Sequence, residues 1–117
     1  MAVARMDYIE LWGPETGPMK AFYETAFGWR FTDSGPDYAA FTDGTREGDA
    51  GGINAMTLGR VEPLAVLYAE DLEAARASVL TAGGEILGED HEFPGGRRFH
   101  FRDPGGNELA VWTKVEG

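Results

Sequence analysis

One order of secondary-structure signals occurs twice along this chain, and that repeat limits the possible folds more than any other feature. In the first half, Tyr8–Trp12 alternates as a strand does, with Ile9 and Leu11 on one face. Apolar residues at helical spacing follow, between a proline suited to open a helix, Pro18, and a glycine suited to end it, Gly28. The other elements predicted for this half are strands at Trp29–Thr32, Tyr38–Thr42 and Gly51–Thr57, and a polar loop at Asp43–Ala50.

The second half repeats this order. Leu64–Ala69 is predicted to be a strand, and Asp71 is placed to cap a helix that Gly83 and Gly84 end. Asp103–Asn107 has the composition of a tight hairpin turn. The other strands predicted here are Glu85–Leu87, Arg97–Arg102 and Glu108–Thr113.

A single offset of 56 residues relates the two halves. It carries Gly28 to Gly84, Tyr8 to Leu64, and Gly51–Ile53 to Asn107–Leu109. A chain of 117 residues has the size of one domain. We therefore predict one α+β domain over residues 1–117, built from two tandem βαβββ modules at about residues 7–57 and 63–113.

Composition excludes several classes of function. The chain has no cysteine, so disulfides, thiol nucleophiles and cysteine-ligated metals are ruled out. A net charge of −10 argues against nucleic acid and anionic membranes as partners. This negative charge either keeps the protein in solution or attracts cationic ligands. The sequence lacks a signal-like or membrane-spanning apolar run, so we expect a cytoplasmic protein.

Three segments resemble one known family. They are Phe22–Trp29 (FYETAFGW), Asp71–Gly84 (DLEAARASVLTAGG) and Phe101–Trp112 (FRDPGGNELAVW). Together they are similar to the vicinal oxygen chelate superfamily of glyoxalases, bleomycin-resistance proteins and extradiol dioxygenases. The likeness is strongest to short bacterial proteins related to lactoylglutathione lyase, and it covers about residues 8–112.

The resemblance implies a curved mixed sheet around a cleft, with a helix on the outer face of each module, and commonly a homodimer. The residues then expected to face the helices are Ile9, Leu11, Ala65, Leu67, Leu109 and Val111. Those expected to face the cleft are Tyr8, Glu10, Trp12, Val66, Tyr68, Glu108, Ala110 and Trp112.

The resemblance also implies where a catalytic metal would bind in this family. Its ligands lie at the start of each module's first strand and in the middle of each last strand. Counting with the offset of 56 gives Tyr8, Asn54, Leu64 and Ala110, none of which is a carboxylate or an imidazole. We therefore expect no metal and no other cofactor. A slip of two residues would instead bring Glu10 and Glu108 to these positions, as a weaker displaced site with or without His100.

Glu10, Glu108 and His100 are the candidate chemical groups. Either glutamate is suited to act as a general base, to hold a cationic amine beside aromatic rings, or to form salt bridges with Arg97, Arg98 and Arg102. His100 alternates with Phe99 and Phe101, so it is a structural residue, a hydrogen-bonding group or a proton shuttle. His91 lies in a polar stretch and is predicted to be a solvated loop residue.

Aromatic residues accompany these groups. Trp12, Tyr68 and Trp112 line either a ligand pocket or a dimer interface. Tyr8 and Asn54 complete the predicted ligand-binding set. The adjacent Gly51 and Gly52 indicate close backbone packing or a bulge within a strand.

The sequence supports three hypotheses. The first is a metal-independent protein that binds a small organic molecule in an aromatic, acidic cleft. The second is a lyase, isomerase or oxygenase of glyoxalase or dioxygenase type, using a displaced divalent metal or proton transfer by Glu10 or His100. The third is a regulatory or accessory dimer that has lost its ligand.

Overall fold

The computed structural model describes residues 3–56 and 62–115, and its elements follow the order β-α-β-β-β twice. The α+β fold of two βαβββ modules is therefore confirmed. The elements are β1 Arg5–Trp12, α1 Thr16–Phe27, β2 Arg30–Asp33, β3 Tyr38–Thr42, β4 Gly51–Asn54, β5 Leu64–Tyr68, α2 Leu72–Thr81, β6 Glu85–Phe93, β7 Gly96–Arg102 and β8 Glu108–Lys114. Strand β4 ends at Asn54, earlier than predicted, and the predicted end at Thr57 lies outside the described residues. Within residues 3–56 and 62–115, no helix is long and apolar enough to span a membrane.

Contacts divide the chain into two compact units. The N-terminal unit is Tyr8–Pro63, and the C-terminal unit is Met1–Asp7 together with Leu64–Gly117. Each unit contains one helix and a mixed sheet, which has one parallel strand pair and two antiparallel pairs.

The sheet of the N-terminal unit has the strand order β2-β3-β4-β1. On its helix-side face, Phe41 and Ile53 are fully buried, and Gly51 leaves room for the Phe41 ring. Stacking of Tyr23 on Trp29, and of Trp29 on Phe41, joins helix α1 to this face. The close packing predicted for the glycine pair is confirmed at Gly51.

Helix α1 differs from its predicted form. It begins at Thr16, two residues before Pro18. Proline is tolerated there because the backbone N–H groups in the first turn of a helix have no hydrogen-bond partner within the helix. Gly28 ends it in the left-handed conformation with φ of 72°, as predicted. Phe22 and Phe27 remain 60% and 67% exposed, so only part of the apolar stripe packs on the sheet.

The sheet of the C-terminal unit has the order β5-β8-β7-β6 and carries an apolar core on its helix side. Leu72 and Ala75 of helix α2 pack there against Phe99 and Val111. The predicted cap is present, since the Asp71 side chain accepts a hydrogen bond from the Ala74 backbone N–H. Other apolar side chains packed against this core are Leu67, Val79, Ile86 and Phe101.

Strand β6 corrects the prediction for His91. The strand runs from Glu85 to Phe93, with an irregularity between Leu87 and His91, and His91 pairs with Arg98 of β7. His91 is exposed, but it is a strand residue and not a loop residue. The stretch looked like a loop because its side chains are polar, whereas the strand is held by backbone pairing.

Strand registers correct the repeat offset. In the N-terminal unit Ile9 pairs with Gly51, and in the C-terminal unit Ala65 pairs with Leu109. The offset is thus 56 at the first strands (65 − 9) but 58 at the last strands (109 − 51). Ala110 therefore corresponds to Gly52 and not to Asn54. The two additional residues lie between the paired strands, where a count without gaps does not detect them.

Candidate functional site

Glu10 lies at the centre of a polar cluster in the N-terminal unit, on the sheet face opposite helix α1. It is 4% exposed and is the only buried carboxylate among the described residues. Asn54 Nδ2 donates to Oε1 at 3.1 Å, and the Tyr38 hydroxyl donates to Oε2 at 3.0 Å. Hydrogen bonds to both oxygens fix the orientation of the carboxylate.

Tyr38 is a member of this cluster that the sequence analysis missed. Its hydroxyl also lies 3.5 Å from that of Tyr8. Burial, and then the negative charge of Glu10, raise the pKa of Tyr38 above its ordinary value, so it remains a protonated donor. A Cβ atom on Gly52 would overlap the Tyr38 ring, which explains the glycine in the middle of β4.

Trp12 adds a buried donor beside this cluster. It lies two residues from Glu10 on the same strand and pairs with Asn54 on the neighbouring strand. Its indole Nε1 is buried and has no hydrogen-bond partner among the residues that the structure describes. Of the predicted site residues, this unit therefore brings together Tyr8, Glu10, Trp12 and Asn54.

A second polar pair lies in the C-terminal unit, on the sheet face opposite helix α2. His100 of β7 is 8% exposed, and its Nδ1 lies 2.8 Å from Glu108 Oε2. The other ring nitrogen, Nε2, is buried without a partner in residues 3–56 and 62–115. Burial lowers the pKa of His100, against the opposing effect of the Glu108 hydrogen bond.

Tyr68 and Trp112 form a third set in the same unit. Their rings meet edge to face, with centroids 4.8 Å apart. Trp112 Nε1 donates to Asp7 at 2.8 Å, and the Arg5 guanidinium lies 4.5 Å from the centre of the Tyr68 ring. No local pattern predicts the contacts of Arg5 and Asp7, because their partners Tyr68 and Trp112 lie far away in the sequence.

Salt bridges from Glu10 or Glu108 to the arginines of β7 were one prediction. For two of these arginines, Arg97 and Arg102, the structure shows a different acidic partner. Arg97 lies 3.6 Å from Asp90, and Arg102 lies 3.0 Å from Glu85. Glu108 Oε2 lies 2.8 Å from His100 Nδ1.

The donor set at the metal positions implied by the resemblance does not suit a metal ion. With the corrected register these positions are Tyr8, Gly52, Leu64 and Ala110, of which only Tyr8 has a polar side chain. Leu64 and Ala110 are fully buried apolar residues. Throughout the described part of the chain, no three His, Asp or Glu side chains are grouped closely enough to hold a metal.

Comparisons with solved structures agree with this fold. A Mn(II)-bound glyoxalase from Novosphingobium aromaticivorans is 25% identical, with a TM-score of 0.68 over 97% of this chain and 40% of its own. Methylmalonyl-CoA epimerase from Mycobacterium tuberculosis is 13% identical, with a TM-score of 0.73 over 96% of this chain and 89% of its own.

A member of the glyoxalase/bleomycin resistance protein/dioxygenase superfamily from Vibrio splendidus 12B01 is 14% identical, with a TM-score of 0.66 over 97% of this chain and 100% of its own. At 13% and 14% identity, the last two similarities show the fold alone. The chain spans less than half of the manganese glyoxalase.

No curated protein matches the sequence. A sequence profile of the Glyoxalase/Bleomycin resistance protein/Dioxygenase superfamily matches residues 5–111, which is most of the chain. With the repeated βαβββ order, this match shows that the chain belongs to the glyoxalase/bleomycin resistance protein/dioxygenase superfamily.

Proposed function

We propose that this chain binds a small organic molecule bearing a cationic amine, that Glu10 receives the amine, and that binding requires no metal. The observation that carries the proposal is the geometry of Glu10, a buried carboxylate with both oxygens held by hydrogen bonds from Asn54 and Tyr38. A carboxylate fixed in this way is ready to accept a further charged hydrogen bond without reorganising.

The surroundings of Glu10 support an amine rather than an anion. Tyr8, Trp12 and Tyr38 provide aromatic rings on the same sheet face, and aromatic faces attract cations. The net charge of −10 favours the approach of a cation as well. Buried Trp12 Nε1 would donate to an oxygen of the ligand, so we expect a molecule that carries both an amine and an acceptor oxygen.

The metal-independent part of the proposal rests on the donor set. The Mn(II)-bound glyoxalase has a similar fold and holds manganese. In this chain, three of the four metal positions that the family resemblance implies have no donor side chain.

A binding screen tests the proposal directly. Wild-type protein treated with a chelator is titrated with a panel of organic amines and of their neutral amide counterparts, and tryptophan emission and melting temperature are recorded. We expect at least one amine to bind and its amide to bind much more weakly. Glu10→Gln keeps the size of the side chain but removes the charge, and should weaken that amine roughly 10- to 100-fold, the usual effect of losing one charged hydrogen bond.

Glu24→Gln is the matched control, because Glu24 is an exposed glutamate on helix α1 of the same unit. It should leave the affinity unchanged. The proposal is wrong if the panel produces no change in emission or melting, or if Glu10→Gln binds the amine as tightly as wild type. Binding that appears only after manganese is added would overturn the metal-independent part.

A further inference from the structure

Trp12 carries a buried donor without an acceptor. Its indole Nε1 is shielded from water and has no hydrogen-bond partner among the residues that the structure describes. An indole N–H can only donate, so it needs an acceptor to offset the loss of its hydrogen bond to water. Such an atom in a native protein calls for an explanation, and an oxygen of a ligand provides one.

The polar groups next to Trp12 in the strand register bind one another instead. Asn54, the register partner of Trp12, accepts from the Met56 backbone N–H through Oδ1 at 2.8 Å and donates to Glu10 through Nδ2 at 3.1 Å. Glu10 also accepts from the Tyr38 hydroxyl at 3.0 Å. These contacts hold the cluster in place, and none of them provides an acceptor for Trp12 Nε1.

The spacing of Glu10 and Trp12 limits the ligand that contacts both. They are two residues apart on β1, so their side chains lie on the same face and their Cα atoms are about 7 Å apart. One small molecule places an ammonium on Glu10 and an oxygen on Trp12 only if the two groups are close together in its structure. A carbonyl attached to the carbon that bears the amine meets this requirement.

The charges on this face favour a neutral oxygen over a carboxylate. The register partners of Glu10 and Trp12 on β4 and β3 are uncharged, namely Gly52, Ala40, Asn54 and Tyr38. Among the described strand residues of the N-terminal unit, the cation on this face is Arg30, which lies on β2, three strands from β1. A ligand carboxylate at Trp12 would therefore meet the negative charge of Glu10 with no cationic side chain on the neighbouring strand positions.

We propose that Trp12 is the specificity-determining residue of the amine site and that the ligand is an amino-carbonyl compound. The ammonium of the ligand binds Glu10, and its neutral carbonyl oxygen, one carbon away, accepts from Trp12 Nε1. The side chains that shield Nε1 move aside as the oxygen enters. The carbonyl contact rests on the proposed amine binding, and it adds the second group by which the site recognises its ligand.

Three small compounds separate the two contacts. Ethylammonium carries the amine alone, glycinamide adds a neutral carbonyl, and glycine adds a carboxylate instead. Each is titrated into ¹⁵N-labelled full-length protein at constant ionic strength and about pH 6, where all three amines are protonated, and the indole N–H signals are followed by NMR. Glycinamide should bind roughly tenfold more tightly than ethylammonium, because it makes one more hydrogen bond to a buried donor, and about tenfold more tightly than glycine.

Substitutions of two tryptophans test whether Trp12 is responsible. Trp12→Phe keeps an aromatic ring but removes the N–H, so glycinamide should then bind no more tightly than ethylammonium. Trp29→Phe is the matched control, because Trp29 belongs to the same unit but stacks between Tyr23 and Phe41 on the helix side. It should retain the wild-type preference. In the wild type, glycinamide should move the Trp12 indole proton signal to lower field, and ethylammonium should move it much less.

Equal binding of glycinamide and ethylammonium to the wild type would overturn the carbonyl contact, as would tighter binding of glycine, a preference for glycinamide that persists in Trp12→Phe, or no binding of any of the three. If Trp12→Phe does not fold, the wild-type indole signal decides, since a Trp12 proton that glycinamide leaves in place excludes the contact. Ethylammonium binding that Glu10→Gln weakens, with no gain from the carbonyl, would refute the carbonyl contact and leave the amine site intact.

Discussion

At the scale of single residues, burial separates the two histidines that the sequence presents as similar candidates. His91 is exposed, whereas His100 is 8% exposed and hydrogen bonded to Glu108. His100 alternates with Phe99 and Phe101 along β7, and these two rings lie on the helix side, so His100 lies on the opposite face. The partner of His100 was not predictable, because it depends on the register between β7 and β8.

Stability should depend on pH through His100. Burial lowers its pKa in the folded state from 6.5, so below about pH 6.5 the unfolded chain binds a proton that the folded chain resists. The free energy of unfolding should therefore fall as pH drops below about 6.5, by up to about 1.4 kcal/mol per pH unit from this group. Urea unfolding between about pH 5 and pH 8 measures the slope.

The matched variants for this slope are His100→Asn and His91→Gln. His100→Asn should remove the decline between about pH 6.5 and pH 5, and His91→Gln should keep it. Asp43 and Asp103 do not interfere, because hydrogen bonds lower their pKa values from 3.8, so they destabilise the fold only in more acidic solution. An unchanged slope in His100→Asn would show that another group carries the pH dependence.

At the scale of elements, local signals predicted the ends of helices better than the extent of strands. Asp71 caps helix α2 and Gly28 ends helix α1 as predicted, since each acts through its own backbone neighbours. Strand β6 is longer than predicted, because its polar half is held by pairing with β7 and by the contact of Arg76 with Asp90. Pairing partners distant in sequence leave no local signal.

Removal of the α2 cap should have a measurable cost. Asp71→Ala removes the oxygen that accepts from the Ala74 N–H, and should lower the free energy of unfolding by about 1 kcal/mol. Asp71→Asn retains a side-chain oxygen and should cost only a few tenths of a kcal/mol. Urea unfolding compares the two variants. Equal losses would show that the negative charge near the helix N-terminus, rather than the cap hydrogen bond, stabilises α2.

At the scale of the whole molecule, acidic residues outnumber basic ones by 20 to 10, and their mutual repulsion opposes the compact state. Raising sodium chloride from about 10 mM to about 200 mM shortens the screening length from about 30 Å to below 10 Å. The melting temperature at pH 7 should therefore rise. The double variant Glu89→Gln, Glu92→Gln removes two exposed charges from β6 and should show a smaller rise. A melting temperature that falls with salt would contradict this account.

The sequence by itself determined the fold class, the order of the elements, the end of helix α1 at Gly28 and the start of helix α2 at Asp71. It did so because side-chain alternation, caps and glycine conformations act over a few residues. It also placed Glu10 and Glu108 on strand faces opposite the helices, since alternate side chains of a strand point to opposite faces.

Only the tertiary structure decided how these residues combine. Tyr38 reaches Glu10, Glu108 reaches His100, and the last strands are offset by 58 rather than 56 residues, all as consequences of hydrogen-bond register between strands. Register depends on loop lengths and on pairing across many residues. The repeat in the sequence thus predicted two modules, and the pairing of strands within each module determined which side chains are in contact.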